Sequence, residues 1–122
     1  MPNRIIGVFF ALAAFGPRYA CANVVHVDSE DKACELLRRA AVKAHLAIHN
    51  QPKEYWCDDA GSTEDYFIID LHYGHPPSGD GIYSTLIGWF AVLRRNGEIR
   101  SYNITCRKPV PFLSDRAYSD CS

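Results

Sequence analysis

The stretch Ile82 to Cys106 constrains the fold more than any other part of this chain: a long apolar-rich run, the dipeptide Asn96-Gly97, and a second run that returns. Asn-Gly between two strand-like runs is the strongest short-range hairpin signal, because a type I′ turn needs positive φ at both central residues. A two-residue loop sets Arg95 opposite Glu98, where a weak cross-strand ion pair is expected, and fixes every pair above it. Side chains alternate across a strand. One face therefore collects Ile87, Trp89, Ala91 and Leu93 opposite Cys106, Ile104, Tyr102 and Arg100, and reads as apolar until it nears the turn. The other sets Gly88, Phe90, Val92 and Arg94 opposite Thr105, Asn103, Ser101 and Ile99, and reads as half wet.

The N-terminus has the grammar of an export signal. Arg4 supplies a positive lead, Ile5 to Phe15 is an apolar core of eleven residues, and Ala20-Cys21-Ala22 has the small-x-small form of a cleavage site. Cleavage after Ala22 leaves residues 23–122 as one globular domain, and no later segment approaches the ~20 apolar residues of a membrane span. A chain exported this way is expected in the periplasm. With 14 acidic and 13 basic residues the formal charge is −1, so no polybasic footprint points to nucleic acid or an anionic membrane.

A domain of about one hundred residues buries a modest core, and exported domains of this size commonly add covalent staples. Cys34, Cys57, Cys106 and Cys121 remain after cleavage, and four cysteines allow three connectivities. A helix is expected from a cap at Asp28 or Ser29 to about Asn50, with Ala33, Leu37, Ala40, Ala41, Ala44 and Ile48 forming a narrow stripe. Cys34 to Asn50 rises ~24 Å along such a helix. The chain from Asn50 to Cys57 can run back ~23 Å if extended. Length therefore favours Cys34 with Cys57, and by the same local logic Cys106 with Cys121.

Glu54 to Cys57 reads as a short strand, Asp58 to Glu64 as a loop, Tyr66 to Tyr73 as a strand, and Gly74 to Gly81 as a long irregular connection. Pairing of Tyr73 near Tyr83 would set Phe67, Ile69, Leu71 and Tyr73 with the Trp89 face, which the helix covers, and Tyr66, Ile68, Asp70 and His72 with the Phe90 face. The expected fold class is α+β: one N-terminal helix packed on a three- to four-stranded antiparallel meander, stapled by disulfides.

Candidate chemistry is sparse. His45 and His49 fall at i and i+4 on the expected helix, a spacing that lets two imidazoles share a metal, but a solvated pair at a helix C-terminus explains them as well. Asp70, His72 and His75 form a second cluster, which would serve a small exported metal-dependent hydrolase. Each of the four cysteines has a partner, no serine sits in a nucleophile elbow, and Gly79-Asp80-Gly81 lacks the following helix of a phosphate cradle. No cofactor is expected. The stronger expectation is a protein-binding surface made of Tyr66, Ile68, His72, Phe90, Val92 and Asn103, with His75, Pro76, Pro77, Ser78 and Asp80 on the adjoining loop. Prolines stiffen that loop before binding, which lowers the ordering cost of inserting it into a cleft.

An exported chain with one helix, an antiparallel meander, paired cysteines and the segment Gly88 to Glu98 resembles the small periplasmic immunity and inhibitor proteins of Gram-negative bacteria. The resemblance implies a non-catalytic protein that binds and blocks a cell-wall-degrading enzyme, such as a type VI secretion amidase or a lysozyme. It implies a protein partner, with a homodimer or a place in an envelope complex as alternatives.

Overall fold

The computed structural model describes residues 25–75 and 85–121. Helix α1 spans Glu30–Lys43. Five strands follow: β1 Tyr55–Ser62, β2 Tyr66–Tyr73, β3 Leu86–Leu93, β4 Ile99–Asn103 and β5 Lys108–Val110. They form one antiparallel sheet in the order β1-β2-β3-β4-β5. The fold is the expected α+β meander with one strand more. The Pro-containing tail supplies it as β5 at the far edge, and the loop-like segment after Cys57 lengthens β1 to Ser62, with Ala60 as the unpaired residue of a bulge. No helix among the described residues is long and apolar enough to cross a membrane.

Ser29 caps α1, its hydroxyl accepting from the Lys32 N–H at 3.2 Å, and Glu30 and Asp31 occupy the first turn where the helix dipole favours them. Ala33, Leu37 and Ala41 share one face and are wholly buried. The helix stops at Lys43, about two turns before the expected Asn50. His45 adopts φ 57°, its N–H donates to Val42 O at 3.1 Å, and the Leu46 N–H donates to Ala41 O at 3.0 Å. This is a Schellman closure with histidine where glycine is commoner. It turns Leu46 back onto the core, where the Tyr55 hydroxyl donates to the Leu46 carbonyl and, at 3.2 Å, to that of His49. Ile48, expected in the core stripe, is consequently 97% exposed, and His45 and His49 are not neighbours on a helix.

The β3–β4 hairpin closes by a longer route than Asn96-Gly97 alone would give. Leu93 faces Glu98, with the Leu93 N–H donating to Glu98 O and the Gly97 N–H donating to Leu93 O, both at 2.9 Å. The register is Phe90 with Ser101, Ala91 with Arg100 and Val92 with Ile99, two residues from the expected one. The cause lies outside the hairpin. The Arg94 N–H donates to Asp65 O at 2.9 Å, its carbonyl accepts from the Val27 N–H at 2.7 Å, and its guanidinium stands 4.0 Å over the Phe67 ring. Arg94 is thereby unavailable to the ladder. Gly97 takes φ 75°, and a Cβ there would come within 3.3 Å of Leu36 on α1, so the tip leans on the helix. Glu98 pairs with Arg100 at 2.8 Å instead of Arg95.

A shift of two keeps each side chain on its face, but the β2–β3 pairing does not. Phe67 pairs with Val92, Ile69 with Phe90 and Leu71 with Gly88, whereas His72 pairs with Leu86. Ile87 is thus the extra residue of a bulge, and beyond it the Tyr73 N–H donates to Thr85 O. One inserted residue exchanges the faces. Phe67, Ile69 and Leu71 therefore join Phe90 and Val92 beneath α1, and the tail residue Phe112 packs on Phe90 with ring centroids 5.9 Å apart. This corrects the expected contact surface. Phe90, Val92 and Asn103, at 3%, 0% and 2% exposure, are interior residues and cannot meet a partner.

Both expected disulfides form, Cys34 with Cys57 and Cys106 with Cys121. Such bonds belong to a chain folded in an oxidising, exported environment. The first fastens α1 to β1 and the second fastens the tail to the end of β4.

Candidate functional site

The inward set of β2 leaves Tyr66, Ile68, Asp70 and His72 on the outer face, away from α1. Cross-strand pairing brings Trp56 beside His72, Asp58 beside Asp70, Trp89 beside Asp70, Ala91 beside Ile68 and Leu93 beside Tyr66. Tyr66 also meets Tyr102 of β4, ring centroids 6.1 Å apart. Trp56, Tyr66, Ile68, Trp89 and Leu93 are all half-buried. The core beneath the sheet draws on α1, the Val27 segment and Phe112, all on the inner face.

At the centre of the outer face lies a polar cluster. One ligand-type atom from each of Asp58, Asp70 and His72 lies within 4.8 Å of the others. The His72 ring stacks on Trp56 at a centroid distance of 4.0 Å and 11° between planes. Its Nδ1 is 3.2 Å from the Thr85 hydroxyl, whereas its Nε2 and the Asp70 Oδ1 are buried with no hydrogen-bond partner. Such orphaned atoms are uncommon in folded proteins and call for an explanation.

Burial pushes the Asp70 carboxyl above its ordinary value; His72 opposes that rise, and the charges of Asp58 and Asp59 add to it. A carboxyl raised in the folded state costs stability only when ionised. Below the ordinary value of 3.8 both states are protonated and nothing is lost; as pH climbs through the raised folded value the penalty grows to its full size. Asp70→Asn is therefore expected to be more stable than the parent at neutral pH when both are held in chelator. Urea midpoints measured across the acid range should show that advantage shrinking to nothing below 3.8.

An acidic rim flanks the cluster. Glu30, Asp31, Asp58 and Asp59 line a hollow of about 160 Å³ beside the Cys34–Cys57 bridge. A hydrogen bond to Asp59 holds the Glu30 carboxyl above its usual range and the Asp59 carboxyl below it. Two larger hollows exist, about 320 Å³ near His26 and Arg94 and about 190 Å³ between Leu46 and Tyr118. Among the described residues, neither sets a serine, threonine or cysteine beside a histidine.

The expected site is therefore divided. Tyr66, Ile68, Asp70 and His72 do share a face; Phe90, Val92 and Asn103 lie beneath it in the core. His75 is exposed just past the end of β2 and is not part of the Asp58–Asp70–His72 cluster. Pro76, Pro77, Ser78 and Asp80 lie outside the described residues. Asp58, Trp56 and Trp89 were not expected at this site. Asp58 falls in a segment whose Gly-Ser-Thr composition reads as loop, and only the β1–β2 register places it against Asp70.

No protein family, no curated protein and no solved structure matches this chain.

Proposed function

We propose that the chain is an exported, non-catalytic binding protein of the periplasm, an immunity protein or inhibitor that covers the working surface of a secreted cell-wall hydrolase. One observation carries the reading. The helix and the tail pack on the same side of the sheet, and among the described residues no element packs over the opposite face, which bears Trp56, Tyr66, Ile68 and Trp89 around polar groups. Aromatic anchors ringed by polar groups are the usual composition of a protein-binding patch.

Charge narrows the partner. Asp58 and Asp70 lie on that face, and Glu30, Asp31 and Asp59 adjoin it around the β1 edge on the helix side. An enzyme that grips an anionic wall polymer carries a basic surface for it, and an acidic patch is the complement of such a surface. The alternative of a hydrolase acting through Asp70, His72 and His75 is weaker, because His75 stands apart from the other two.

The test is inhibition of peptidoglycan hydrolysis. Protein recovered from the periplasm after expression of the full chain is added to a lysozyme and to a secreted amidase, and clearing of a wall suspension is followed. Stoichiometric inhibition of one enzyme is expected, weakened at least tenfold by Asp58→Lys or Tyr66→Ala, a loss typical of an interface anchor. Undiminished clearing by both enzymes in the presence of a molar excess would count against the proposal.

A further inference from the structure

We infer that Asp58, Asp70 and His72 bind a divalent transition-metal ion, with Zn²⁺ the best match to the donor set. The inference rests on these three side chains and stands whether or not the outer face also docks a hydrolase.

The geometry comes from the sheet. Asp58 and Asp70 are directly opposed on adjacent antiparallel strands, and His72 is two residues beyond Asp70 on the same face. Their donor atoms lie within 4.8 Å of one another. A tetrahedral ion with bonds of about 2.0–2.1 Å needs donors about 3.4 Å apart, a contraction that rotation of the exposed Asp58 side chain supplies. Solvent or a partner side chain would complete four-coordination, since Asp58 lies open to water.

The electrostatics favour a cation. Two carboxylates face one another, and none of the ion pairs formed among the described residues involves either. Asp70 Oδ1 and His72 Nε2 are both buried and unpartnered. A metal ion satisfies the two atoms at once, one as an anionic oxygen and the other as a neutral nitrogen.

The surroundings of His72 also fit ligation. Nδ1 stands 3.2 Å from the Thr85 hydroxyl, and in the tautomer in which Nδ1–H donates to it, Nε2 keeps its lone pair for a metal. The Trp56 indole, 4.0 Å away, holds the plane of the ring. Metal-ligating histidines are typically oriented by such a bond through their second nitrogen. One nitrogen with two carboxylates suits zinc and its neighbours in the transition series; calcium and magnesium favour oxygen alone.

The experiment uses the untagged full-length secreted protein, stripped with chelator, titrated with Zn²⁺ by calorimetry and with Co²⁺ by visible absorption. A single-site isotherm is expected, together with the ligand-field bands of a low-coordinate cobalt centre and a rise in melting temperature on adding Zn²⁺. His72→Gln and Asp70→Asn should each weaken binding at least tenfold, and Thr85→Val should weaken it by roughly tenfold through the loss of His72 orientation. Circular dichroism confirms that each variant is folded. Binding that persists unchanged in His72→Gln would assign the metal to another histidine and overturn the inference, as would no saturable binding to the parent protein at millimolar Zn²⁺.

Discussion

Replacing Cys34 and Cys57 together by alanine is expected to lower the unfolding free energy by about 3 kcal/mol, the chain-entropy value for a closed loop of this length. The two residues are separated by 23 positions, and the bond joins the start of α1 to the edge strand. Without it α1 is held mainly by a stripe of two alanines and one leucine, Ala33, Leu37 and Ala41. Small side chains bring the helix close to the sheet but bury little apolar surface each. Domains of this size are stable by about 5–15 kcal/mol in all, so the loss is a large fraction of the total. It should appear as a fall in melting temperature of roughly 15 °C in the oxidised variant compared with the parent. A fall in stability under about 1 kcal/mol would mean that packing alone secures the helix.

Asn103→Ala is expected to cost about 2–3 kcal/mol, by removing three hydrogen bonds of an interior amide and stranding the Ser119 carbonyl and the Cys106 N–H. Its amide nitrogen donates to Arg116 O at 2.7 Å and to Ser119 O at 2.9 Å, and its amide oxygen accepts from the Cys106 N–H at 2.9 Å. One interior side chain thus clamps the tail from both sides of its last turn, Asp115–Tyr118. Hydrogen exchange should quicken across residues 112–121 while α1 and β2 keep their protection. Asn103→Asp separates the two roles, since a carboxylate still accepts from Cys106 but repels both carbonyls. Equal protection of the tail in the parent and in Asn103→Ala would show that the Cys106–Cys121 bridge is sufficient to hold it.

Local chemistry was legible in the sequence where it acts alone. Ser29 caps the helix, Tyr66–Tyr73 is a strand with the expected limits, and Cys34 pairs with Cys57 although the helix is shorter than the length argument assumed. Asp70 and His72 share a face because they are two apart on a strand, which no tertiary detail can alter short of a bulge between them. What was not legible depends on competition between distant groups. Asn96-Gly97 marks the turn correctly, but its length is set by Asp65 and Val27, which take the backbone of Arg94. The helix stop depends on Tyr55 and the core drawing in Leu46, with His45 in an uncommon conformation. The bulge at Ile87 adjoins Gly88, a glycine that reads as an ordinary strand position within the apolar run around it, and it alone moved Phe90 and Val92 from the surface to the interior. Asp58 was hidden for the complementary reason, that a loop-like composition was drawn into the edge of the sheet.

The two bridges close consecutive stretches of chain and never interleave. A polypeptide delivered N-terminus first into an oxidising space presents Cys34 and Cys57 to each other before Cys106 has arrived, so temporal order and native connectivity coincide. Mispaired species, which would need reshuffling over seconds to hours, are disfavoured by the order of delivery itself.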